Sequence, residues 1–241
     1  MSGGKRDGEM DNIYVVGTDT GVGKTVLSLL LMQFFLKCGR HPFYLKPLQT
    51  GCRDARDVDS DAAFIYKNVA SLREKDPAAS VIYCFKNPKA PFFAARDDRR
   101  EIDLPLVDQV VQEKSRRYSP LIIEAAGGLL APVTEKTRMV DIIKSTGAKT
   151  LLAARAGLGT INHTLLSIEA LWARGLRPQG IVFLDTAETP PDMISENREA
   201  VEKYSGIKVA GVIGKIDDFA RPPRDYFRPL ESLFPEEKLT G

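Results

Sequence analysis

The sequence predicts a doubly wound α/β fold, with a mostly parallel sheet flanked by helices, and three observations predict it. Short β-branched runs alternate with helical patterns from residue 13 to residue 213. Most of those runs are continuously apolar rather than alternating, as suits strands buried on both faces of a parallel sheet. The first strand runs directly into a glycine-rich turn bearing Lys24 and Thr25, the strand–loop–helix order of a phosphate-binding loop. Together these give one P-loop NTPase-like domain over residues 12–241. The polar stretch 1–11 reads as a disordered tail that lacks the apolar segment of a secretory signal.

The strands are expected at Ile13–Val16, Pro42–Leu45, Ser80–Cys84, Leu121–Glu124, Thr150–Ala154, Gly180–Leu184 and Lys208–Ile213. Helices are expected between them, at Thr25–Lys37, Ser60–Asn68, Leu104–Lys114, Val140–Ser145, Thr160–Ala173 and Pro191–Tyr204. This order places ligands at the carboxyl ends of the strands. The Pro- and Arg-rich stretch Arg221–Arg228 leads into a short final helix on the surface.

Composition narrows the function. Hydrophobic residues make up 43% and charged residues 27%, which fits a globular chain. Basic and acidic residues number 34 and 32, a net charge of +2. That balance, without a basic stripe, argues against nucleic acid. No apolar run approaches the ~18 residues of a membrane span. Cys38, Cys52 and Cys84 are odd in number and lack C-x-x-C spacing, which suggests a reducing cytoplasm and no structural zinc. His41 and His163 are too isolated for a metal site.

The loop Gly17-Thr-Asp-Thr20-Gly21-Val22-Gly23-Lys24-Thr25-Val26 is one residue longer than the usual spacing, because Thr18 stands where the first glycine is expected. Its backbone N–H groups would bind phosphate oxygens, Lys24 would reach the terminal phosphates and the Thr25 hydroxyl would sit on Mg²⁺. Five further segments follow predicted strands. Lys46, pinned by Pro47, reads equally as a cation aimed at developing negative charge or as a solvated loop lysine. In Asp57–Ala62 one of the acids reads as a Mg²⁺ ligand or, more commonly for such a cluster, as part of a solvated helix start; Asp59 and Ser60 suit capping, and Asp61 falls in the first turn. Glu124 ends an apolar strand, followed by the small residues Ala125, Ala126, Gly127 and Gly128, as a second Mg²⁺ ligand facing a phosphate loop would. Gly159 and Thr160 open a helix whose free N–H groups suit an anion or simply a cap. His163 reads as a packed or hydrogen-bonded helix residue. Phe183-Leu184-Asp185-Thr186 reads as a plain connection out of a late strand. Cys52 reads as a small packed residue.

In combination these segments resemble the dethiobiotin synthetase family. The resemblance rests on Gly17–Thr25, Lys46-Pro47-x-x-Thr50-Gly51, Ser60-Asp61-Ala62, Glu124-x-Ala126-Gly127-Gly128 and Leu158-Gly159-x-Ile161-Asn162-His163, from about residue 13 to residue 213. It implies an enzyme that uses ATP and Mg²⁺ to close the ureido ring of dethiobiotin from 7,8-diaminopelargonic acid and CO₂, through a carbamate and its phosphoric anhydride. By the resemblance, Lys24 and Lys46 stabilise the transferring phosphoryl group, and Thr25, Asp61 and Glu124 hold Mg²⁺. Gly21 to Val26, Ala125 to Gly127, Leu184 and Asp185 contact the nucleotide. Thr20 and Thr50 contact the substrate, and Thr160, Ile161 and Asn162 of a neighbouring subunit bind its carboxylate across a homodimer interface.

Three positions depart from the family pattern. Ala125 replaces a glycine, and its methyl is expected to shift the backbone beside the nucleotide. Leu184-Asp185 replaces an asparagine that reads the base, and Gly214 replaces a proline. Loose base selectivity is the expectation. Phe92, in a substrate-side loop, stands where a smaller or polar residue is common. Three other classes remain in view. A partitioning ATPase is opposed by Asp19, where such proteins carry a signature lysine. An amidotransferase-type synthetase is opposed by the lack of room for a glutaminase domain. A nucleotide-binding descendant without turnover is left open by Ala125 and Leu184.

Overall fold

A computed structural model describes residues 12–239. The tail expected over residues 1–11 lies outside the described residues. The strands are β1 (Asn12–Gly17), β2 (Phe43–Thr50), β3 (Val81–Phe85), β4 (Leu121–Glu124), β5 (Lys149–Arg155), β6 (Pro178–Leu184) and β7 (Val209–Ile213). They form one sheet in the order β3-β2-β4-β1-β5-β6-β7, and every neighbouring pair is parallel. From β1 the chain winds outward past β4 to β2 and β3, then returns to β4 and crosses β1 to β5. The direction of winding therefore reverses around β1, where open parallel sheets leave a crevice.

The helices are α1 (Lys24–Lys37), α2 (Asp61–Asn68), α3 (Pro91–Asp97), α4 (Leu104–Arg117), α5 (Met139–Thr146), α6 (Thr160–Trp172), α7 (Pro191–Ser205) and α8 (Arg228–Leu233). They divide into two layers, and the strands show why their sequences are continuously apolar. Ile13, Val15, Ile122, Leu151 and Val182 pack into the layer of α1, α2 and α8. Tyr14, Val16, Ile123, Leu152 and Phe183 pack into the layer of α3 to α7. Alternate side chains point to opposite faces, and each face carries its own core.

Three expectations are corrected. β2 continues past Leu45 to Thr50, so Lys46 lies within a strand and is only 5% exposed, which removes the solvated-lysine reading. Pro47 is tolerated there because pairing with β4 stops at Leu45 and β2 goes on paired to β3. The substrate-side loop at Phe92 is instead the helix α3, with Pro91 in its first turn and Ala94 and Ala95 buried. The C-terminal helix is more than a surface appendage: Arg228 and Ser232 stay exposed, but Pro229, Leu230 and Leu233 are buried. α1 is buried almost all round, and an all-apolar helix needs cover on its outer side. Phe227, Leu230 and Phe234 supply that cover, and the Phe234 ring sits 5.0 Å from Phe35.

Candidate active site

β1 delivers the chain at Gly17 into a loop that turns over the strand ends before α1. Gly21 and Gly23 adopt φ of +70° and +95°, the left-handed region that glycine occupies without a Cβ penalty. Lys24 folds back so that its ammonium donates to the Asp19 carbonyl at 2.9 Å. Burial, followed by the nearby Lys46 charge, pulls the Lys24 pKa down to about 8, against the pull of Glu124, Asp61 and Asp19. Asp19, at the position of the rival class's signature lysine, is exposed and accepts from its neighbour Thr20 N–H.

Four side chains from four elements meet beside this loop. The Thr25 hydroxyl, in the first turn of α1, lies 2.9 Å from Asp61 Oδ1 and 2.9 Å from Glu124 Oε1. Lys46 Nζ lies 2.8 Å from Asp61 Oδ2 and 2.7 Å from Glu124 Oε1, and donates to the Ala125 carbonyl at 3.2 Å. Ser60 caps α2 by accepting from the Ala62 and Ala63 N–H groups, which leaves Asp61 in the first turn aimed at Thr25. Burial alone would lower the Lys46 pKa, but Glu124 and Asp61 overcome it and hold the ammonium above the ordinary lysine value. Burial would raise Asp61, but Lys46, Thr25 and Gln49 hold its carboxyl below the usual carboxylate range.

The set suits a hard divalent cation. A hydroxyl has one proton to donate, yet two carboxylate oxygens face Thr25 Oγ1 at hydrogen-bond distance. Among the described residues no three His, Cys, Asp or Glu side chains converge as a metal cage. Two carboxylates and a hydroxyl form the sparse set that Mg²⁺ takes when phosphates and water complete its shell.

The group lies in a cleft of about 1090 Å³ at the carboxyl ends of the strands. Of the expected site residues, Thr20 to Val26, Lys46, Thr50, Asp61, Glu124, Ala126, Gly127, Leu184 and Asp185 line it. Ala125, Thr160, Ile161 and Asn162 are not among the lining residues. Ala125 is buried in the core beneath β4, and its N–H pairs with the Val15 carbonyl. Its methyl packs into the core rather than into the cleft. Thr160 is likewise buried, with its N–H on the Gly157 carbonyl and its hydroxyl on Thr164, while Asn162 is exposed. His163 is also exposed rather than packed. Cys52 is packed as expected, its sulfur 2.9 Å from that of Cys84, and burial holds both thiols protonated.

Sequence reasoning missed Tyr44 and Gln49. Tyr44 lies two residues before Lys46, on the same strand face, and donates its hydroxyl to Glu124 Oε2 at 3.0 Å. Gln49 Oε1 accepts from the Asp61 N–H at 3.2 Å. A strand extended through Pro47 would have revealed Tyr44, because period-2 spacing leads to it from Lys46; Gln49, three residues beyond Lys46, is out of that period.

Fold and loop define a P-loop nucleotide-binding protein. A family model described as an AAA domain matches residues 11–223, and an ATP-dependent dethiobiotin synthetase of Anaeromyxobacter sp. is 32% identical over 216 residues, 89% of this chain and 95% of that protein. The chain belongs to the ATP-dependent dethiobiotin synthetase family. A biotin biosynthesis bifunctional protein of Bordetella avium is 37% identical over 85% of this chain, which spans 40% of that longer protein. Among solved structures, the MinC:MinD cell division protein complex of Aquifex aeolicus matches with a TM-score of 0.58, covering 96% of this chain and 98% of that one. At 16% identity that likeness concerns the fold alone.

Proposed function

We infer that the protein converts 7,8-diaminopelargonic acid, CO₂ and ATP into dethiobiotin, ADP and phosphate. Family membership supports this, and the single observation that carries it is the pair of lysines, Lys24 and Lys46, beside a phosphate loop that offers cations rather than an acid–base pair. One substrate amine takes up CO₂ to give a carbamate, and the γ-phosphoryl group passes to a carbamate oxygen. The second amine then attacks the carbamate carbon, closing the ring and expelling phosphate. Carbamate, phosphoryl group and leaving phosphate are all anionic, so the site's task is to orient them and hold their charge. The loop N–H groups from Gly21 to Thr25 and Val26 hold the nucleotide phosphates. Lys24 and Lys46 face the transferring group, and Thr20 and Thr50 contact the substrate's amine end. Mg²⁺, held by Thr25, Asp61 and Glu124, would neutralise charge on the phosphates. Ala126, Gly127, Leu184 and Asp185 border the nucleotide.

The protein acts in this reading as a cytoplasmic homodimer that uses neither nucleic acid nor membrane. No helix among the described residues is long and apolar enough to cross a membrane. Leu158, just before α6, is 94% exposed, and Leu166 and Trp172 on α6 are exposed as well, apolar surface of the kind that a second subunit would cover. The adjoining helix start would then present the first-turn N–H groups of Ile161 and Asn162 to the partner's substrate carboxylate, while the Thr160 N–H stays on the Gly157 carbonyl.

Phosphate release from ATP and Mg²⁺, measured with and without diaminopelargonic acid plus bicarbonate, tests the reaction. Release that requires both additions is expected. Release indifferent to them would replace the ligase with a general ATPase, and its absence under all conditions would point to a binding-only protein.

A further inference from the structure

The Glu124 carboxylate is only 1% exposed, and its two oxygens face different partners. Oε1 receives Thr25 and Lys46, while Oε2 receives the Tyr44 hydroxyl. The strands place the tyrosine there. Tyr44 on β2 is paired in register with Ile122 on β4, and Glu124 is two residues further along the same face, within diagonal reach of an aromatic side chain. Tyr44 is itself 1% exposed, so its ring has no room to swing. Its carbonyl is held by the Ser80 hydroxyl at 2.7 Å, which in turn contacts the Tyr66 hydroxyl at 2.9 Å.

We propose that Tyr44 is a positioning residue for the divalent cation, fixing the Glu124 carboxylate so that Oε1 faces the loop and Oε2 is withheld. The inference rests on the cation reading given under Proposed function. A carboxylate free to rotate offers either oxygen, or both, to a metal. One held at Oε2 by a neutral donor offers the other oxygen in a single direction, beside Thr25 and Asp61. The phenol is a neutral donor, and its hydroxyl faces Glu124 Oε2 at 3.0 Å. Groups that orient a metal ligand in this way are commonly worth ~10–100-fold in metal affinity.

The test uses Mn²⁺ as the probe, with ADP, counting free Mn²⁺ by electron paramagnetic resonance. Tyr44→Phe is expected to weaken Mn²⁺ binding in the presence of ADP by about tenfold, while metal-free ADP binding stays at the native value. Tyr66→Phe removes a hydroxyl from the same network without touching Glu124, and is expected to leave Mn²⁺ affinity unchanged even if it lowers the melting temperature. Tyr44→Leu, read the same way, stands in if the phenylalanine variant does not fold. Mn²⁺ affinity within twofold of native in the Tyr44 variant would overturn the proposal, as would an equal loss in Tyr66→Phe. Native protein that takes up no Mn²⁺ with ADP would instead overturn the cation reading itself.

Discussion

The ammonium of Lys46 lies 2.7 Å from Glu124 Oε1, and both side chains are buried. With Asp61 on the same ammonium at 2.8 Å, one lysine compensates two carboxylates that would otherwise repel in a poorly solvated site. The contact joins β2 to its neighbour β4 just beyond the point where their pairing ends at Leu45.

Replacing Lys46 by Gln is therefore expected to act on both chemistry and stability. Substrate-dependent phosphate release should fall by ~10²-fold or more, as when a donor to a developing anion is lost. ADP affinity should stay within a few-fold, because the loop N–H groups remain. The ligand-free variant should also unfold more easily by about 3 kcal/mol, since breaking a buried pair leaves charge uncompensated. Near-normal turnover would show that Lys46 does not serve the transfer.

Gly23 and Leu184 are in contact across the cleft floor. A Cβ built on Gly23 would lie 2.7 Å from Leu184 Cγ, and its φ of +95° disfavours any side chain. Gly21 shares the positive φ, at +70°, but faces open space. Gly21→Ala should thus incur only backbone strain, ~1–2 kcal/mol, whereas Gly23→Ala incurs strain and collision. Calorimetric ADP affinity should drop more in Gly23→Ala, and adding Leu184→Ala should recover part of the difference. Equal losses in the two alanine variants would mean that the Leu184 contact does not constrain the loop.

The architecture was legible because the periodicities are local. Continuous apolar runs announced strands covered on both faces, and the loop announced itself by Gly, Lys and Thr in sequence. Thr25, Asp61 and Glu124 converge as the motifs implied. What escaped depends on long-range packing. The true length of β2 was hidden by Pro47, whose local meaning is a break, and with it the burial of Lys46 and the roles of Tyr44 and Gln49. The burial of α8 was hidden because its cause lies in α1, some two hundred residues earlier. The inward turn of the Ala125 methyl follows from β4 pairing with β1, which no spacing encodes.

Asp141 gives a pH signature away from the cleft. It caps α5 by accepting the Arg138 N–H at 2.9 Å and pairs with Arg174 Nε at 2.9 Å. Burial would raise its pKa, but these partners outweigh burial and hold the carboxyl below the usual range. A depressed carboxyl adds stability that is present above its unfolded pKa of about 3.9 and lost as pH falls through its lower folded value. The side chain is 38% exposed, so solvent screening limits the effect to about 1 kcal/mol. Urea denaturation should show native protein ahead of Asp141→Asn by that amount at neutral pH, with the gap closing in strong acid. A gap that persists unchanged there would remove the ionised carboxylate as its cause.

The exposed face of α6 predicts an assembly effect. Leu166 is 55% exposed and is not among the residues lining the cleft. Leu166→Arg should convert a dimer to a monomer by light scattering, leave ADP binding intact and raise KM for diaminopelargonic acid. A variant that stays dimeric would move the interface elsewhere.

Base selectivity is the last expectation, and the loops around Leu184 and Gly214 bear on it. The Asp185 carboxylate, the acceptor best placed to read an exocyclic amine by its chemistry, is already engaged within its own loop by Thr189 N–H at 3.1 Å and the Thr189 hydroxyl at 2.9 Å. A side chain at Gly214 would collide with the Tyr226 hydroxyl at 2.8 Å, so Tyr226 takes the room that a proline would need. The floor beside them is apolar, formed by Leu184, Ile213 and Ile216, with Thr186 and Lys215 among the polar residues that also line the cleft. An apolar floor accepts any base with similar energy, because discrimination needs hydrogen-bonding groups that are left unpaired by the wrong partner. Turnover with ATP, CTP and GTP at equal concentrations should therefore agree within about tenfold, roughly 1.4 kcal/mol of discrimination. A preference for ATP well beyond that would require a polar reader of adenine, with the backbone N–H and C=O groups of the 185–189 and 214–216 loops as the first candidates to test by crystallography with bound nucleotide.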